Sequence, residues 1–320
     1  MNQSDFPEFA DVLAAAARIA PHAQVTPVLR SRTLDALTGA QLHFKCENLQ
    51  RSGAFKFRGA CNAVWSLRDD EAVTGVVTHS SGNHGAALAL AARTRGIAAH
   101  VVVPDGAVAA KLAAIAAYGA TLHRCAPTMA AREAMAAQVQ AHTGARLVHP
   151  FTDPLVIAGQ GTAALELLAE AGALDCVLIP VGGGGLAAGT ALAVAGPGDA
   201  TRSTRVIGAE PAGAADAYES LRRGARVTDL QPDTVCDGLR GTIGEINLAM
   251  LRARHVEVLL VSDEQTLAAM RLLWERLKLL VEPSSATVLA ALLRYPERFA
   301  GQRVGVLLSG GNADLDALLR

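Results

Sequence analysis

The chain alternates short apolar runs rich in β-branched residues with longer stretches rich in alanine and leucine. The short runs are nearly continuous, as in strands that are buried on both faces of a parallel sheet. They cover residues 76–79, 99–103, 121–124, 177–181, 205–208 and 304–308. Stretches with a helical spacing of apolar residues cover 83–95, 104–118, 128–141 and 264–280. This alternation predicts an α/β fold of mostly parallel sheets with helices on both faces.

Three of the predicted strands are followed by unusual loops, at the edge where open parallel sheets bind ligands. The first loop, residues 80–85, is rich in hydroxyl and amide groups and enters a helix, which suits an anion such as a carboxylate. The second, residues 182–185, is four consecutive glycines, whose backbone can wrap closely around a phosphate. The third, residues 309–312, reads Ser-Gly-Gly-Asn. Taken singly, the first loop is also typical of an ordinary helix cap and the second of a flexible turn.

Lys56 lies between two phenylalanines in the glycine-bounded segment 52–59. Lysine is scarce among the 29 basic residues, and it occurs only at Lys45, Lys56, Lys111 and Lys278. An amine that apolar neighbours desolvate becomes a nucleophile able to form Schiff bases, although a lysine whose stem lies along a helix face is the ordinary alternative. The glycine loop lacks the spacing of a dinucleotide or triphosphate site. A nucleophilic lysine, a phosphate loop and a carboxylate loop together predict pyridoxal phosphate and an amino-acid substrate.

Composition and charge argue against several other classes of protein. The 320 residues are 51% hydrophobic and carry a formal net charge of −1 without a basic stripe, which argues against nucleic acid or an anionic membrane as a partner. No apolar run is long enough to span a membrane and the first residues lack the pattern of a secretion signal, so we expect a cytoplasmic protein. The five scattered cysteines predict reduced thiols without a disulfide framework or a zinc site.

With these motifs the sequence resembles the pyridoxal-phosphate enzymes of fold type II, specifically the serine/threonine dehydratase and serine racemase branch. The resemblance extends over nearly the whole chain and is carried by residues 45–50, 52–60, 80–85, 157–162, 180–185, 210–211, 274–276, 282–283 and 308–312. It implies a two-lobed fold like that of the tryptophan synthase β-subunit. Residues 1–74 and 150–320 would form the large cofactor-binding domain, and residues 75–149 a small mobile domain that closes over the amino acid.

The resemblance assigns a role to each residue around the cofactor. Lys56 would be the catalytic residue that forms the Schiff base with the cofactor and removes the proton from the substrate Cα, and Phe55 would lie beside the pyridine ring. Asn83 would hydrogen-bond the ring hydroxyl oxygen, and Ser309 would face the pyridine nitrogen. The phosphate would accept backbone N–H groups from Gly182, Gly183, Gly184, Gly185 and Leu186. A neutral hydroxyl at the nitrogen makes the ring a weaker electron sink than an aspartate would, which favours the expulsion of a β-leaving group.

The resemblance also indicates where the substrate binds. The loop that binds the substrate carboxylate would contain Ser80, Ser81, Asn83 and His84. Arg132 would point towards the substrate, where it could bind a second carboxylate or merely help to close the small lobe; a surface arginine in a helix is the alternative. Ser81 is placed on the cofactor face opposite Lys56 in serine racemases, so racemisation is conceivable, but 3-hydroxyaspartate dehydratases resemble this loop as well. Arg240, Phe151 and Thr152 are further residues expected near the substrate.

Glu210, Ala214 and Asp216 are candidate metal ligands that follow the strand at 205–208. Two carboxylates and a backbone carbonyl, completed by water, suit a hard divalent cation such as Mg²⁺ or Ca²⁺. Their spacing also matches the metal site of the family that the sequence resembles. A pair of exposed acids at the start of a helix is the alternative.

The predicted function is therefore a dehydratase, or ammonia-lyase, that converts a β-hydroxy amino acid to a keto acid and ammonia by Cα deprotonation and β-elimination. L-Serine, L-threonine, 3-hydroxyaspartate and phenylserine are the substrates that we consider, and the sequence does not rank them. A serine or aspartate racemase that uses Lys56 and Ser81 is the second hypothesis. A cofactor-binding protein without catalytic activity is the third. A homodimer is expected from the resemblance alone.

Overall fold

Two β-sheets organise the fold, in a computed structural model that describes residues 6–196 and 204–314. The helices of these residues are α1 (Phe9–Ile19), α2 (Arg32–Thr38), α3 (Lys56–Trp65), α4 (Asp69–Ala72), α5 (Asn83–Arg95), α6 (Ala109–Ala117), α7 (Met129–Thr143), α8 (Pro154–Ala171), α9 (Gly185–Val194), α10 (Asp216–Arg223), α11 (Glu245–Ala253), α12 (Asp263–Leu277) and α13 (Pro283–Arg294). The strands are β1 (Val28–Leu29), β2 (Gln41–Cys46), β3 (Val76–Thr78), β4 (Ala99–Pro104), β5 (Thr121–Cys125), β6 (Arg146–Leu147), β7 (Cys176–Pro180), β8 (Arg205–Pro211), β9 (Glu257–Val261) and β10 (Arg303–Leu308).

The larger sheet has six strands in the order β1-β2-β10-β7-β8-β9. All neighbours in it are parallel except β1 and β2. Both faces of its central strands are buried: Leu178 packs in a core with residues of α12 and α13, and Val177 packs in a second core with residues of α8 and α9. Burial on both faces is the reason why the strand at 177–181 reads as a continuous apolar run.

The smaller sheet has four parallel strands in the order β5-β4-β3-β6. On one face Val101 packs with residues of α5 and α6, and on the other face Val102 packs with residues of α7. These strands all fall within the segment 75–149 that was predicted to form the small domain. The predicted domain boundaries and the mobility of this segment stay predictions, and the ends of the ranges 1–74 and 150–320 lie outside the described residues.

A close crossing of α3 and α8 holds the start of α3 in place. A Cβ atom on Gly159 would lie 2.6 Å from the Cα of Gly59, and one on Gly59 would lie 2.7 Å from the carbonyl oxygen of Val156. Only glycine allows two helix backbones to approach so closely. Lys56, the first residue of α3, is consequently fixed near the C-terminal end of β10 in the larger sheet.

Buried charges strengthen the same crossing. Arg58, fully buried in α3, forms ion pairs at 2.7 Å with Glu47 and with Glu166 of α8, and Lys45 of β2 contacts Glu166 at 2.6 Å. We call these four residues the Arg58 cluster. Burial alone would lower the pKa of the Arg58 guanidinium, but the two carboxylates raise it above its usual range. The cluster therefore holds α3, α8 and β2 together with its charges compensated.

The helix predicted at 264–280 begins and ends earlier than its apolar pattern. It starts at Asp263 with a capping box between Ser262 and Gln265. It ends at Leu277, because Lys278 adopts a left-handed backbone with φ 59°. The apolar residues that follow run instead into α13, whose first residue is Pro283.

The cysteines bear on the expectation of reduced thiols, and the helices on the expectation that no segment spans a membrane. All five cysteines are free and buried. Burial raises the pKa of Cys46, Cys61 and Cys236 to about 12, so these thiols are protonated at neutral pH. Across residues 6–196 and 204–314, none of the helices combines the length and the apolar character that crossing a bilayer requires.

Candidate active site

Lys56 lies where the start of α3 meets the end of β10. The backbone N–H of Phe55 donates to the carbonyl oxygen of Ser309 at 3.0 Å, and Ala54 forms an isolated β-bridge with Gly310. The Lys56 Nζ donates to the carbonyl oxygen of Pro150 at 3.0 Å and lies 5.1 Å from the centre of the Phe55 ring. The structure thus brings together Lys56, Phe55 and Ser309, as the sequence predicts.

The amine of Lys56 is poised to lose its proton. Burial lowers the pKa of Lys56 from 10.5 to about 8, and the negative charge of Glu282 only partly opposes this. Two imidazoles nearby are neutral: burial and the Lys56 charge hold the pKa of His84 well below 6.5, and burial together with His79 and Lys56 lowers that of His149 to about 4. Burial therefore brings the pKa of the Lys56 amine towards neutral pH.

Asn83 connects the start of α5 to two other elements of the site. Its Nδ2 donates to both carboxylate oxygens of Glu282, at 3.0 and 3.1 Å, and its Oδ1 accepts from Nδ2 of Asn312 at 2.9 Å. The backbone N–H of Glu282 donates to the carbonyl oxygen of Gly310 at 3.0 Å. Asn83 is thereby tied to the loop that begins at Ser309, whose side chain is buried.

The four glycines between β7 and α9 form a cradle without side chains. Gly184 has φ 86°, which favours glycine, and a Cβ atom on Gly183 would lie 2.5 Å from the Phe151 ring. The Nδ2 of Asn247 holds the loop by donating to the carbonyl oxygens of Gly183 and Phe151. The first N–H groups of α9 have no acceptor within their own helix, so Gly185 and Leu186 present donors at its positive end.

Ser80 and Ser81 lie partly exposed in the loop that leads into α5, and Gly82 is its N-cap residue. The loop runs very close to the helix, since a Cβ atom on Gly85 would lie 2.0 Å from the Ser80 carbonyl oxygen. The N-terminal N–H groups of α5 and these hydroxyls are suited to bind a carboxylate. His84, in the first turn, is buried with its Nε2 3.4 Å from the Val148 carbonyl oxygen.

Arg132 lies in α7, which packs on the smaller sheet. Its Nε is buried without a hydrogen-bond partner among the described residues. Burial lowers the pKa of His79 and the Arg132 charge adds to this, while the backbone hydrogen bond of His79 and the Glu133 charge oppose it. The ring of His79 stands edge-on to that of His149, with 4.9 Å between the ring centres. Arg132 is therefore electrostatically linked, through these imidazoles, to the surroundings of Lys56.

Glu210, Ala214 and Asp216 are all buried, so they are not the exposed acids of the alternative interpretation. Glu210, at the end of β8, accepts the backbone N–H groups of Ala217 and Tyr218 at 2.9 Å. Burial raises the pKa of Glu210 to about 8, with the Asp216 charge adding to it, and burial raises that of Asp216 to about 6. Within the described residues no group of three or more His, Cys, Asp or Glu side chains could hold a metal. Two close, buried carboxylates nevertheless fit a hard cation whose other ligands are carbonyl oxygens and water.

Several residues of the site were not given a role from the sequence. Glu282 and Asn312 hold Asn83, and the ion pair between Lys111 and Asp237 joins α6 to the loop before α11. A single acid between the apolar run 279–281 and a proline was a usable signal for Glu282; the other contacts have no local signature. Arg240, expected near the substrate, is exposed and donates to the backbone of Thr234.

Residues 19–310 match the protein family described as pyridoxal-phosphate dependent enzyme. This chain belongs to that family. It is 48% identical over 312 residues to a β-hydroxyaspartate dehydratase of Paracoccus denitrificans, covering 98% of each chain. It is 43% identical to the L-threo-3-hydroxyaspartate ammonia-lyase of Saccharomyces cerevisiae, covering 97% of this chain and 94% of that protein. The crystal structure of serine racemase from Dictyostelium discoideum superimposes with a TM-score of 0.91 at 44% identity, covering 96% of this chain and 99% of that one. The predicted family and fold class are confirmed.

The residues present fit the cofactor of this family. The glycine cradle leaves space that any Cβ atom would fill and presents the N–H donors that a phosphate needs. The Lys56 amine, with its lowered pKa, is of the kind that bonds to an aldehyde. Ser309 is buried beside Phe55, where it offers a neutral hydroxyl.

Proposed function

We propose that this enzyme is a pyridoxal-phosphate-dependent ammonia-lyase that acts on β-hydroxyaspartate. The observation that carries the proposal is the desolvated Lys56 amine, whose Nζ donates to the carbonyl oxygen of Pro150. The dehydratase of Paracoccus denitrificans and the ammonia-lyase of Saccharomyces cerevisiae both carry hydroxyaspartate in their names. These relatives confirm the predicted reaction class, and the choice of hydroxyaspartate as the substrate is the proposal.

The chain's own residues account for the proton transfers and the orientation of the substrate. When bound, the cofactor supplies an electron sink that acidifies the proton on the substrate Cα. Lys56, with its pKa near 8, takes that proton, and the N–H groups and hydroxyls of residues 80–84 bind the α-carboxylate. The β-hydroxyl leaves as water, and another water then releases ammonia. 3-Hydroxyaspartate thus gives oxaloacetate and ammonia, with one water lost and one consumed.

Ser309 would set the preference for elimination, and the glycine cradle would hold the cofactor. Backbone N–H groups of residues 182–186 would bind the cofactor phosphate, and Phe55 would lie beside the ring. A serine hydroxyl does not hold a proton on the ring nitrogen as an ionised acid would. Ser309 would therefore favour departure of the β-hydroxyl over return of the proton to the substrate Cα.

Arg132 is the residue that we propose binds the second carboxylate of the substrate. Its Nε is buried and has no partner in the described part of the chain, which is costly unless a ligand completes it. Arg132→Ala should raise KM for 3-hydroxyaspartate about 10- to 100-fold, as expected for loss of a hydrogen bond between charged groups, and change KM for L-threonine little. Arg124→Ala, which removes an exposed arginine from β5 of the smaller sheet, is the matched control.

Racemisation is the second candidate function, because Ser81 lies in the loop that leads into α5 and the serine racemase of Dictyostelium discoideum is 44% identical. A racemase returns a proton to the face opposite Lys56, and Ser81 is the residue proposed for that step. Ser81→Ala should then abolish formation of the D-isomer while keto-acid release continues.

A panel of β-hydroxy amino acids decides between these functions. The holoenzyme is incubated separately with L-threo-3-hydroxyaspartate, L-threonine, L-serine and phenylserine, and keto acid, ammonia and enantiomer ratio are measured together. The proposal predicts the highest kcat/KM for 3-hydroxyaspartate, with equal amounts of keto acid and ammonia. D-product without keto acid would instead establish a racemase, and no turnover of any substrate would contradict both functions.

We also propose that Glu210, Asp216 and the carbonyl oxygen of Ala214 bind Mg²⁺ or Ca²⁺. The support is the burial of two carboxylates, which raises the pKa of Glu210 to about 8 and, against the opposing charge of Arg226, that of Asp216 to about 6. The closure of residues 75–149 over the substrate, the homodimer and the cytoplasmic location stay predictions from the sequence.

A further inference from the structure

Glu282 is the N-cap residue of α13, yet its side chain does not cap that helix. The side chain is buried, with 4% of the residue exposed, and reaches Asn83 at the start of α5. An N-cap oxygen normally accepts an N–H group of its own helix, and giving up that bond destabilises the helix. The carboxylate therefore serves a contact outside α13.

The amide of Asn83 is held at both of its ends. Nδ2 faces the Glu282 carboxylate at 3.0 and 3.1 Å, and Oδ1 accepts from Asn312, whose Nδ2 also donates to the Ser52 carbonyl oxygen at 2.8 Å. A flipped amide would set Oδ1 against the carboxylate and its own NH₂ group against that of Asn312. Because an ionised carboxylate only accepts hydrogen bonds, Glu282 permits one orientation of Asn83.

We propose that Glu282 is a positioning residue, whose ionised carboxylate takes one N–H of the Asn83 amide and fixes the other N–H for the hydroxyl oxygen on the cofactor ring. An amide nitrogen carries two hydrogens, and both oxygens of Glu282 face the same nitrogen. The inference rests on the proposed function, since that function places the cofactor ring at Asn83. It extends that function to a residue that does not itself touch the cofactor.

The charges around Glu282 decide whether it is ionised at neutral pH. Burial raises the pKa of Glu282 to about 7; hydrogen bonding by Asn83 lowers it, the Asp237 charge raises it and the Lys111 charge lowers it. Lys111 and Asp237 are themselves an ion pair across the site, and Glu282 in turn raises the pKa of Lys56. On protonation below about pH 7, Glu282 can donate as well as accept, so either orientation of the Asn83 amide can pair with it and the fixed orientation is lost.

A double-mutant cycle on the holoenzyme tests this role. Glu282→Gln, Asn83→Ala and the double variant are compared for cofactor dissociation constant and for the pH dependence of the visible absorption band. Glu282→Gln should weaken cofactor binding about tenfold, as expected for loss of one charge-assisted hydrogen bond, and remove the spectral change centred near the pKa of Glu282. In the Asn83→Ala background the same substitution should have no further effect, because coupled residues are non-additive.

Glu264→Gln, which neutralises an exposed acid in the first turn of α12, is the matched control and should leave both readouts unchanged. Additive effects in the double variant, or an unchanged spectrum in a folded Glu282→Gln protein, would overturn the inference. If Glu282→Gln does not fold, Glu282→Asp replaces it. This shorter carboxylate should keep the pH-dependent spectrum while weakening cofactor binding, and loss of the pH dependence would contradict the role. None of these readouts requires turnover, so they fail separately from the proposed reaction.

Discussion

Arg58 and Lys56 lie two residues apart on α3, and their buried charges have opposite surroundings. In the cluster, Arg58 faces carboxylates on two other elements, each at 2.7 Å. In the pocket around Lys56, the Nζ of Lys56 donates only to the carbonyl oxygen of Pro150 among the described residues. Glu282, the acid whose charge acts on Lys56, is hydrogen-bonded to Asn83. The Arg58 cluster thus compensates its charges with ion pairs, whereas the pocket gives Lys56 no ion-pair partner among the described residues.

The pKa shifts record this difference. The two carboxylates raise the pKa of Arg58 against the effect of burial, whereas for Lys56 burial prevails and lowers the pKa to about 8. Glu282, also buried, has its pKa raised to about 7. Paired charges can be buried in a crossing of helices because each offsets the desolvation of the other, whereas uncompensated groups with a pKa near neutral are what proton transfer needs. The first turn of α3 thus carries a structural residue, Arg58, and a reactive residue, Lys56.

Removing the reactive amine should have the largest effect. Lys56→Ala removes the nucleophile and the base together, so we expect turnover to fall by about 10³-fold or more. The measurement is the initial rate of keto-acid formation, with the visible absorption band recorded on the same sample. Lys278→Asn, at a residue with a left-handed backbone outside the site, is the control and should retain full activity. Residual turnover above one tenth in Lys56→Ala would contradict the assignment.

Breaking the compensated cluster should affect stability. Arg58→Met leaves Glu47 and Glu166 without their buried partner, and removal of one partner of a buried pair costs about 3–5 kcal/mol. The free energy of unfolding is measured with urea. Arg68→Met removes an arginine that is 70% exposed and pairs with Asp70, so it should change stability by less than about 0.5 kcal/mol. Equal effects of the two substitutions would show that the cluster is not compensated as described.

The pH dependence of stability should distinguish Glu282 from ordinary surface acids. Its pKa is about 7 in the folded protein and 4.5 ordinarily, so between these values the folded state binds more protons and stability falls as the pH rises. Glu282→Gln removes this loss, and the stability difference from wild type should grow across the window by up to about 3 kcal/mol. Urea unfolding at pH 4.5 and pH 7.5 checks this, and a constant difference would contradict the raised pKa.

The acidic pair at Glu210 and Asp216 is a third buried arrangement, which a cation should compensate. Mg²⁺ or Ca²⁺ at 100 times its Kd should stabilise the protein by about 2.7 kcal/mol, raising Tm, and EDTA should reverse this. Glu210→Gln should abolish the response. Glu219→Gln, on α10 beside Arg222 and Arg223, should keep it. An identical Tm with cation and with EDTA would remove the metal proposal.

Much of the fold follows from local pattern. Strands buried on both faces read as apolar runs, and the loops after Thr78, Val181 and Leu308 were located from the sequence because parallel strands place their ends at one edge. Lys56 was singled out by its aromatic neighbours and its rarity. The contact between Phe55 and the Ser309 carbonyl agrees with the predicted grouping around the cofactor.

The rest depends on tertiary contacts that leave no local trace. Nothing near Lys111 in the sequence indicates that it meets Asp237, and nothing near Asn83 indicates that its amide is held by residues of the C-terminal part of the chain. The end of α12 was misplaced because the apolar pattern continues past Lys278, whose backbone turns left-handed. The proposed substrate choice is equally non-local, because it depends on Arg132, which lies in α7 on the smaller sheet.

The most direct test follows the products formed from L-threo-3-hydroxyaspartate by the wild-type holoenzyme and by Lys56→Ala. We expect equal amounts of oxaloacetate and ammonia from the wild type, and neither product above background from a folded Lys56→Ala variant. Conversion to the opposite stereoisomer without ammonia, or ammonia release that persists without Lys56, would contradict it.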